Sequence, residues 1–235
     1  MKNNIEIIGL LVCMICSCSK SDDVPIGPPE ISYDQTQYKT SFYKAGSSVA
    51  PTVDWKGDKG RFGLLNSRKG VSINTETGII NWDKTLPLGS ARANQLDVLA
   101  YNNAGEDTVL EMGIENKFEG LFKGSYEPGG FIVLGSKFFA EFNFMSNKLE
   151  GVLIAEDDNG VVVDTSPIEG SWQREGNIIT AEYTFVGAPE VNPRFIKATI
   201  NYSKTEAYLE GRFGTNLEDN GFFYSEFKFH LNTPE

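Results

Sequence analysis

The chain is poor in the side chains that carry most enzyme chemistry. Among its 235 residues are one histidine, His230, and three cysteines, Cys13, Cys16 and Cys18, so nothing from residue 19 onward offers a thiol. Within that stretch no disulfide, thiol nucleophile or cysteine–zinc site can form, and packed cores must supply the stability. A lone histidine has no companions for a histidine-rich metal site. In a Ser–His–Asp arrangement it would have to be a buried, oriented base. In "FFYSEFKFHL", however, Phe223, Phe227, Phe229 and Leu231 share one face, and His230 shares the other with Tyr224, Glu226 and Lys228. We read His230 as a solvent-side residue. Basic charge is also scarce: 21 Lys and Arg stand against 32 Asp and Glu, for −11, which argues against a nucleic-acid partner. Most of the deficit lies late in the chain. Residues 117–235 hold 10 bases and 18 acids, whereas residues 30–116 hold 9 and 11. Helical periodicity is nearly absent, and no glycine-rich phosphate loop opens a helix. The apolar run from residue 7 to residue 16 is ten residues long, against the ~20 that a membrane-spanning helix needs.

What that run does have is the make-up of a secretory signal, with Lys2 as its positive start. Ile15, Cys16 and Ser17 precede Cys18, and together they resemble the lipobox of bacterial lipoproteins. The resemblance implies removal of residues 1–17, a diacylglycerol on the Cys18 sulfur and acylation of the freed amino group. Two or three acyl chains anchor stably where one is marginal. Cys13 and Cys16 would then be discarded with the leader. Residues 18–29, which include "SKSDDVPIGPP", are polar and proline-rich and read as a flexible tether. "SKSDD" also resembles the short acidic stretch that sends some Gram-negative lipoproteins to the outer face of the outer membrane. The expected location is therefore the outer membrane, lipid-anchored and facing the exterior.

Beyond the tether, short alternating runs recur between Gly, Asn, Asp and Pro signals, which argues for an all-β chain. In residues 30–116, "QLDVLAY" places Leu96, Val98 and Ala100 on one side, and "TVLEMGI" places Leu110, Met112 and Ile114 likewise. Val71 and Ile73 face inward, a turn ends at Gly78, and Ile80 and Trp82 face inward again. Trp82 reads as a core aromatic. Seven or so strands of this kind predict a β-sandwich. "GVSINTETGIINWDKTLPLG" (70–89) and "VLAYNNAGE" (98–106) resemble the immunoglobulin-like, cadherin-like domains of bacterial surface proteins. The alternating Asp/Asn run that holds calcium in cadherins is missing, so no calcium is carried over.

Residues 117–235 predict about eight antiparallel strands. "KGSYEPGG" is echoed by "EGSWQREG", and "KLEGVLIAEDDNG" by "YLEGRFGTNLEDNG". Asn159–Gly160 and Asn220–Gly221 suit type I′ hairpins. An array with a duplicated pattern most simply closes into an antiparallel β-barrel, since closure removes edges. A second sandwich is the alternative. Gly124-Ser125-Tyr126 and Gly170-Ser171-Trp172 resemble the Gly-x-Trp strand of lipocalin-like barrels.

Chemistry is thin in this half too. With Gly160 set as the sixth position of a calcium loop, the first ligand position falls on Ala155 and the last on Ser166, so no EF-hand is formed. No metal, cofactor or catalytic set is expected. Aromatics remain: sixteen Phe, nine Tyr and three Trp. Tyr126, Trp172, Tyr183, Tyr202 and Tyr224 pair a flat apolar face with a polar handle, which suits sugars. The anchor, tether and aromatics resemble accessory glycan-binding lipoproteins of starch-utilisation-type uptake systems. That implies a non-catalytic surface binder of carbohydrate, working beside an outer-membrane transporter. An adhesion or scaffold protein is the first alternative and a glycoside hydrolase, with two carboxylates across a cleft, the second.

Overall fold

Residues 26–128, 136–188, 192–215 and 224–233 are described by a computed structural model. Cys18, the leader, the first part of the tether, Phe223 and the Asn220–Gly221 turn lie outside the described residues. Within them the chain forms strands only. The first nine are β1 (Glu30–Ser32), β2 (Gln37–Ser41), β3 (Gly46–Ser47), β4 (Thr52–Asp54), β5 (Arg61–Leu64), β6 (Val71–Ile73), β7 (Ile80–Trp82), β8 (Gln95–Asn102) and β9 (Gly105–Lys117). The rest are β10 (Gly120–Glu127), β11 (Lys137–Met145), β12 (Lys148–Glu156), β13 (Val162–Glu175), β14 (Ile178–Phe185), β15 (Arg194–Tyr202), β16 (Ala207–Gly214) and β17 (Tyr224–Leu231).

The first nine strands make a sandwich-like module. One layer is the sheet β2-β9-β8-β5, in which β2 runs parallel to β9; opposite lie the sheets β3-β7-β6 and β1-β4. Period-two alternation fills the space between. Leu96, Val98 and Ala100 of β8 and Ile80 and Trp82 of β7 are buried together with Met112 and Ile114. Gly78 ends the β6–β7 turn at φ +71°, and a β-carbon there would lie 2.6 Å from Pro51.

Leu110 breaks the expected alternation. It is 62% exposed, whereas Met112 and Ile114 are buried. The ladder shifts between Leu96↔Met112 and Val98↔Val109, and Glu111 sits at φ +60°, so β9 carries one extra residue there. Such a bulge turns the preceding side chain out of phase. Val109 packs against the core instead. The Asp97 carboxylate accepts from the Glu111 amide at 3.2 Å, and the Gln37 amide donates to the Glu111 carbonyl at 2.9 Å.

Strands β10 to β17 close into one eight-stranded antiparallel barrel in sequence order, which decides between barrel and second sandwich. Inward positions carry Phe122, Phe142, Phe144, Leu149, Ile179, Ile196, Leu209 and Phe229, all essentially inaccessible to solvent. Glycines stand among them where strands approach closely. A β-carbon on Gly170 would lie 2.0 Å from the Glu182 carbonyl oxygen, and one on Gly151 would lie 2.4 Å from that of Glu141. Outward positions carry charge, as in the Lys123–Glu141 pair at 2.7 Å and the Arg212–Glu226 pair at 3.3 Å. An apolar filling inside a charged wall is the reverse of a transmembrane barrel, whose outer band is apolar.

The β12–β13 connection departs from a type I′ turn. Gly160 has φ +78°, but Asn159 does not share a positive φ. The Gly160 amide donates to the Asp157 carbonyl at 3.0 Å, and the Asp157 carboxylate accepts from the amides of Asn159 and Val161 at 2.9 Å each. Asp157 thus stabilises a turn whose left-handed residue follows it, with the register shift beside Glu156 absorbing the extra length.

Only Phe118 and Glu119 separate β9 from β10. Phe42 and Tyr43, which follow β2, and Phe118 are buried in the barrel's own core cluster. The Phe42 amide donates to the Lys117 carbonyl at 2.7 Å, and its ring lies 5.2 Å from Phe118 and 5.3 Å from Tyr202. The sandwich therefore caps one end of the barrel with aromatic rings.

Candidate functional site

With one end capped, candidate chemistry falls to the distal end, where β10, β12, β14 and β16 finish and β11, β13, β15 and β17 begin. A cleft of about 1190 Å³ lies there on the wall made by β10, β11, β16 and β17. Two features of the sequence hollow it out. Ser125 and Gly211 present little or no side chain, and the β10–β17 ladder is interrupted between Lys123↔His230 and Tyr126↔Phe227. Phe138, Phe139, Tyr126 and Phe227 supply apolar surface, and Glu127, Lys137, Glu210, Arg212, Glu226 and Lys228 supply charge. The charges are matched rather than massed. Arg212 pairs with Glu226, Glu210 stands opposite Lys228, and the Lys228 ammonium lies 3.9 Å from the centre of the Tyr208 ring. Hydrogen-bonding groups above aromatic edges suit a neutral, hydroxyl-rich ligand.

A second group of polar side chains converges inside the barrel at the same end. Tyr126 of β10, Asp164 of β13, Tyr183 of β14 and Arg194 of β15 occupy positions of the inward phase. Tyr183 and Arg194 are direct cross-strand partners. Burial pushes both Tyr126 and Tyr183 above the ordinary phenol value, most strongly at Tyr183, and the Arg194 charge opposes this at both. The Tyr183 hydroxyl and the Arg194 Nε are buried without a hydrogen-bond partner.

The five aromatics singled out from the sequence do not form one site. Tyr126 and Tyr183 meet at the distal end, as described. Trp172 also points inward, but near the sandwich; its indole N–H donates to the Lys148 carbonyl at 3.2 Å, and its ring stands edge-on to Phe118 and Phe144. Tyr202 lies at that same end against Phe42 and borders a smaller cleft of about 700 Å³ with Lys69 and Lys204. Tyr224 is on the outer wall, with the Arg212 guanidinium 4.5 Å from its ring centre. The echo between Tyr126 and Trp172 misleads because β10 runs away from the sandwich and β13 runs towards it. Equivalent aromatics therefore land at opposite ends.

His230 is exposed on the outer wall, 3.9 Å from Glu206. Among the described residues, no three His, Cys, Asp or Glu side chains are grouped to hold a metal ion. No described helix is long and apolar enough to cross a membrane. Arg194 was not singled out from the sequence, although a signal existed: in "RFIKATINY" it shares the phase of Ile196, Ala198 and Ile200. A charge on the inward phase of an alternating strand needs a partner or a purpose. The chain matches no family model, no curated protein and no solved structure.

Proposed function

We propose that the protein is a non-catalytic carbohydrate-binding lipoprotein, held on the exterior of the outer membrane through Cys18 and serving an uptake system with an outer-membrane transporter. The observation that carries this reading is the order of parts in space. The described chain begins beside the β8–β9 turn, where the Gly27 backbone amide donates to the Lys56 carbonyl and the Asn102 side-chain amide donates to the Gly27 carbonyl at 3.0 Å. Strand β9 leaves that turn and runs to the barrel at Lys117. Its thirteen residues, at about 3.3 Å each, span roughly 40 Å. An anchor at Cys18 would sit at the near end of the sandwich, leaving the distal cleft farthest from the membrane. The immunoglobulin-like module then acts as a spacer and the lipocalin-like barrel as the binder.

A filled barrel core gives a second reading its support. Phe122, Phe142 and Phe229 leave no room for a ligand beside them, so recognition belongs to the outer wall and distal end, as an adhesion or scaffold protein would also require. Titration calorimetry of the full chain, purified in detergent from its host, against a panel of neutral oligosaccharides separates the two. Binding that weakens at least tenfold in Arg212→Ala and Lys228→Ala supports the proposal. A panel without a ligand refutes recognition of neutral carbohydrate by the outer-wall cleft, and mass spectrometry showing no acyl mass on Cys18 refutes the anchor.

A further inference from the structure

The inward group at the distal end points to more than a neutral sugar. Tyr183 is 1% exposed, yet its hydroxyl has no partner, and Arg194 beside it has none for Nε. The Arg194 guanidinium stacks 5.1 Å from the Phe185 ring centre, and no carboxylate among the described residues lies within the 4.0 Å of an ion pair. Asp164 makes no ion pair with it; that carboxylate accepts from the Ser166 hydroxyl at 3.3 Å, and its charge acts on Tyr126. Two buried donors on adjacent strands are thus left without an acceptor, an arrangement that is costly to fold around unless something else supplies one. Burial keeps the Tyr183 phenol protonated, and therefore a donor, at neutral pH. Solvent reaches the group from the distal end, because Asp164 is exposed and Tyr126 and Arg194 are half-buried. Rings of Phe138 and Phe213 flank Tyr126, at 5.8 and 4.8 Å between centres, and give the approach an apolar lining.

We propose that Arg194 and Tyr183 form a carboxylate-binding subsite at the distal end of the barrel, so that the preferred ligand carries an acid group next to an apolar or ring-shaped body. A carboxylate offers one oxygen to each donor at once, and its charge complements the guanidinium. The inference deepens the binding reading above and rests on it only for the choice of a sugar. A uronic-acid sugar and a fatty acid share the necessary chemistry.

Calorimetry on the full chain in detergent tests it with four probes: a galacturonate trimer, its neutral methyl ester, a neutral glucose oligomer and octanoate below its micelle concentration. The expected result is at least tenfold tighter binding of the galacturonate trimer than of its ester, with the preference abolished in Arg194→Gln. Tyr183→Phe should weaken the trimer severalfold while the thermal midpoint holds or rises, since only an unpartnered hydroxyl is removed. Arg194→Lys keeps the charge and is the folding control. Octanoate binding that depends on Arg194, without uronate binding, upholds the subsite and overturns the sugar. Neutral probes bound as tightly as acidic ones overturn the subsite and leave the sugar reading standing. A trimer preference that survives in Arg194→Gln, or no probe binding at all, also overturns the subsite.

Discussion

Replacing Phe42 by alanine removes a ring that belongs to the sandwich by sequence and to the barrel by packing. Phe42 is 2% exposed, and its ring lies 5.2 Å from Phe118, 5.3 Å from Tyr202 and 6.4 Å from Phe122. Losing roughly 150 Å² of buried apolar surface at about 25 cal/mol/Å² costs about 4 kcal/mol. That agrees with the ~3–5 kcal/mol typical of Phe→Ala in cores. At about 2–4 °C per kcal/mol for a chain of this size, the melting midpoint should fall by roughly 8–16 °C. Circular dichroism melts of the full chain measure the total, and hydrogen exchange read by mass spectrometry apportions it. Amides of β10 and β15, in the barrel, should exchange faster along with those of β2. A fall of under ~2 °C, or acceleration confined to the sandwich, would refute the claim that the two modules share this core.

The barrel glycines give a second prediction. Gly170→Ala places a β-carbon against the Glu182 backbone, which cannot swing aside, and should cost at least ~1–3 kcal/mol in a denaturant melt. Gly176→Ala, which meets nothing nearby, probes the turn alone and, at φ +59°, should cost about 1 kcal/mol. Tyr33 offers a third. Its hydroxyl donates to the Gly78 carbonyl at 2.5 Å, and burial raises its pKa well above that of a free phenol, as at Tyr183. Because the folded values lie above the unfolded ones, the stability these tyrosines contribute is fully present below about pH 10 and is lost as pH climbs above it. Absorbance titration should therefore show both phenols ionising only as the chain unfolds; early, reversible ionisation of all nine tyrosines would contradict their burial. Tyr33→Phe should cost about 1–2 kcal/mol at neutral pH by orphaning the carbonyl.

The all-β class and the core faces of β7 and β8 were legible in the sequence, because period-two alternation and turn residues act locally. The single exposed leucine in β9 was not: a one-residue bulge at Glu111, held by Asp97 and Gln37 from other strands, reversed the phase at Leu110. The echoed Gly-Ser-aromatic segments likewise marked Tyr126 and Trp172 as equivalent, yet the direction of each strand in the closed barrel sent them to opposite ends. Arg194 carried a readable oddity, a charge in an apolar phase, but nothing local showed that Tyr183 would stand beside it. What the sequence by itself determined was which residues turn inward wherever the ladder runs without a bulge, since that depends on neighbours two positions apart. Which inward residues meet, and which end of the barrel the sandwich covers, was decided only by closure and by the Phe42–Phe118 cap, contacts between residues far apart in the chain.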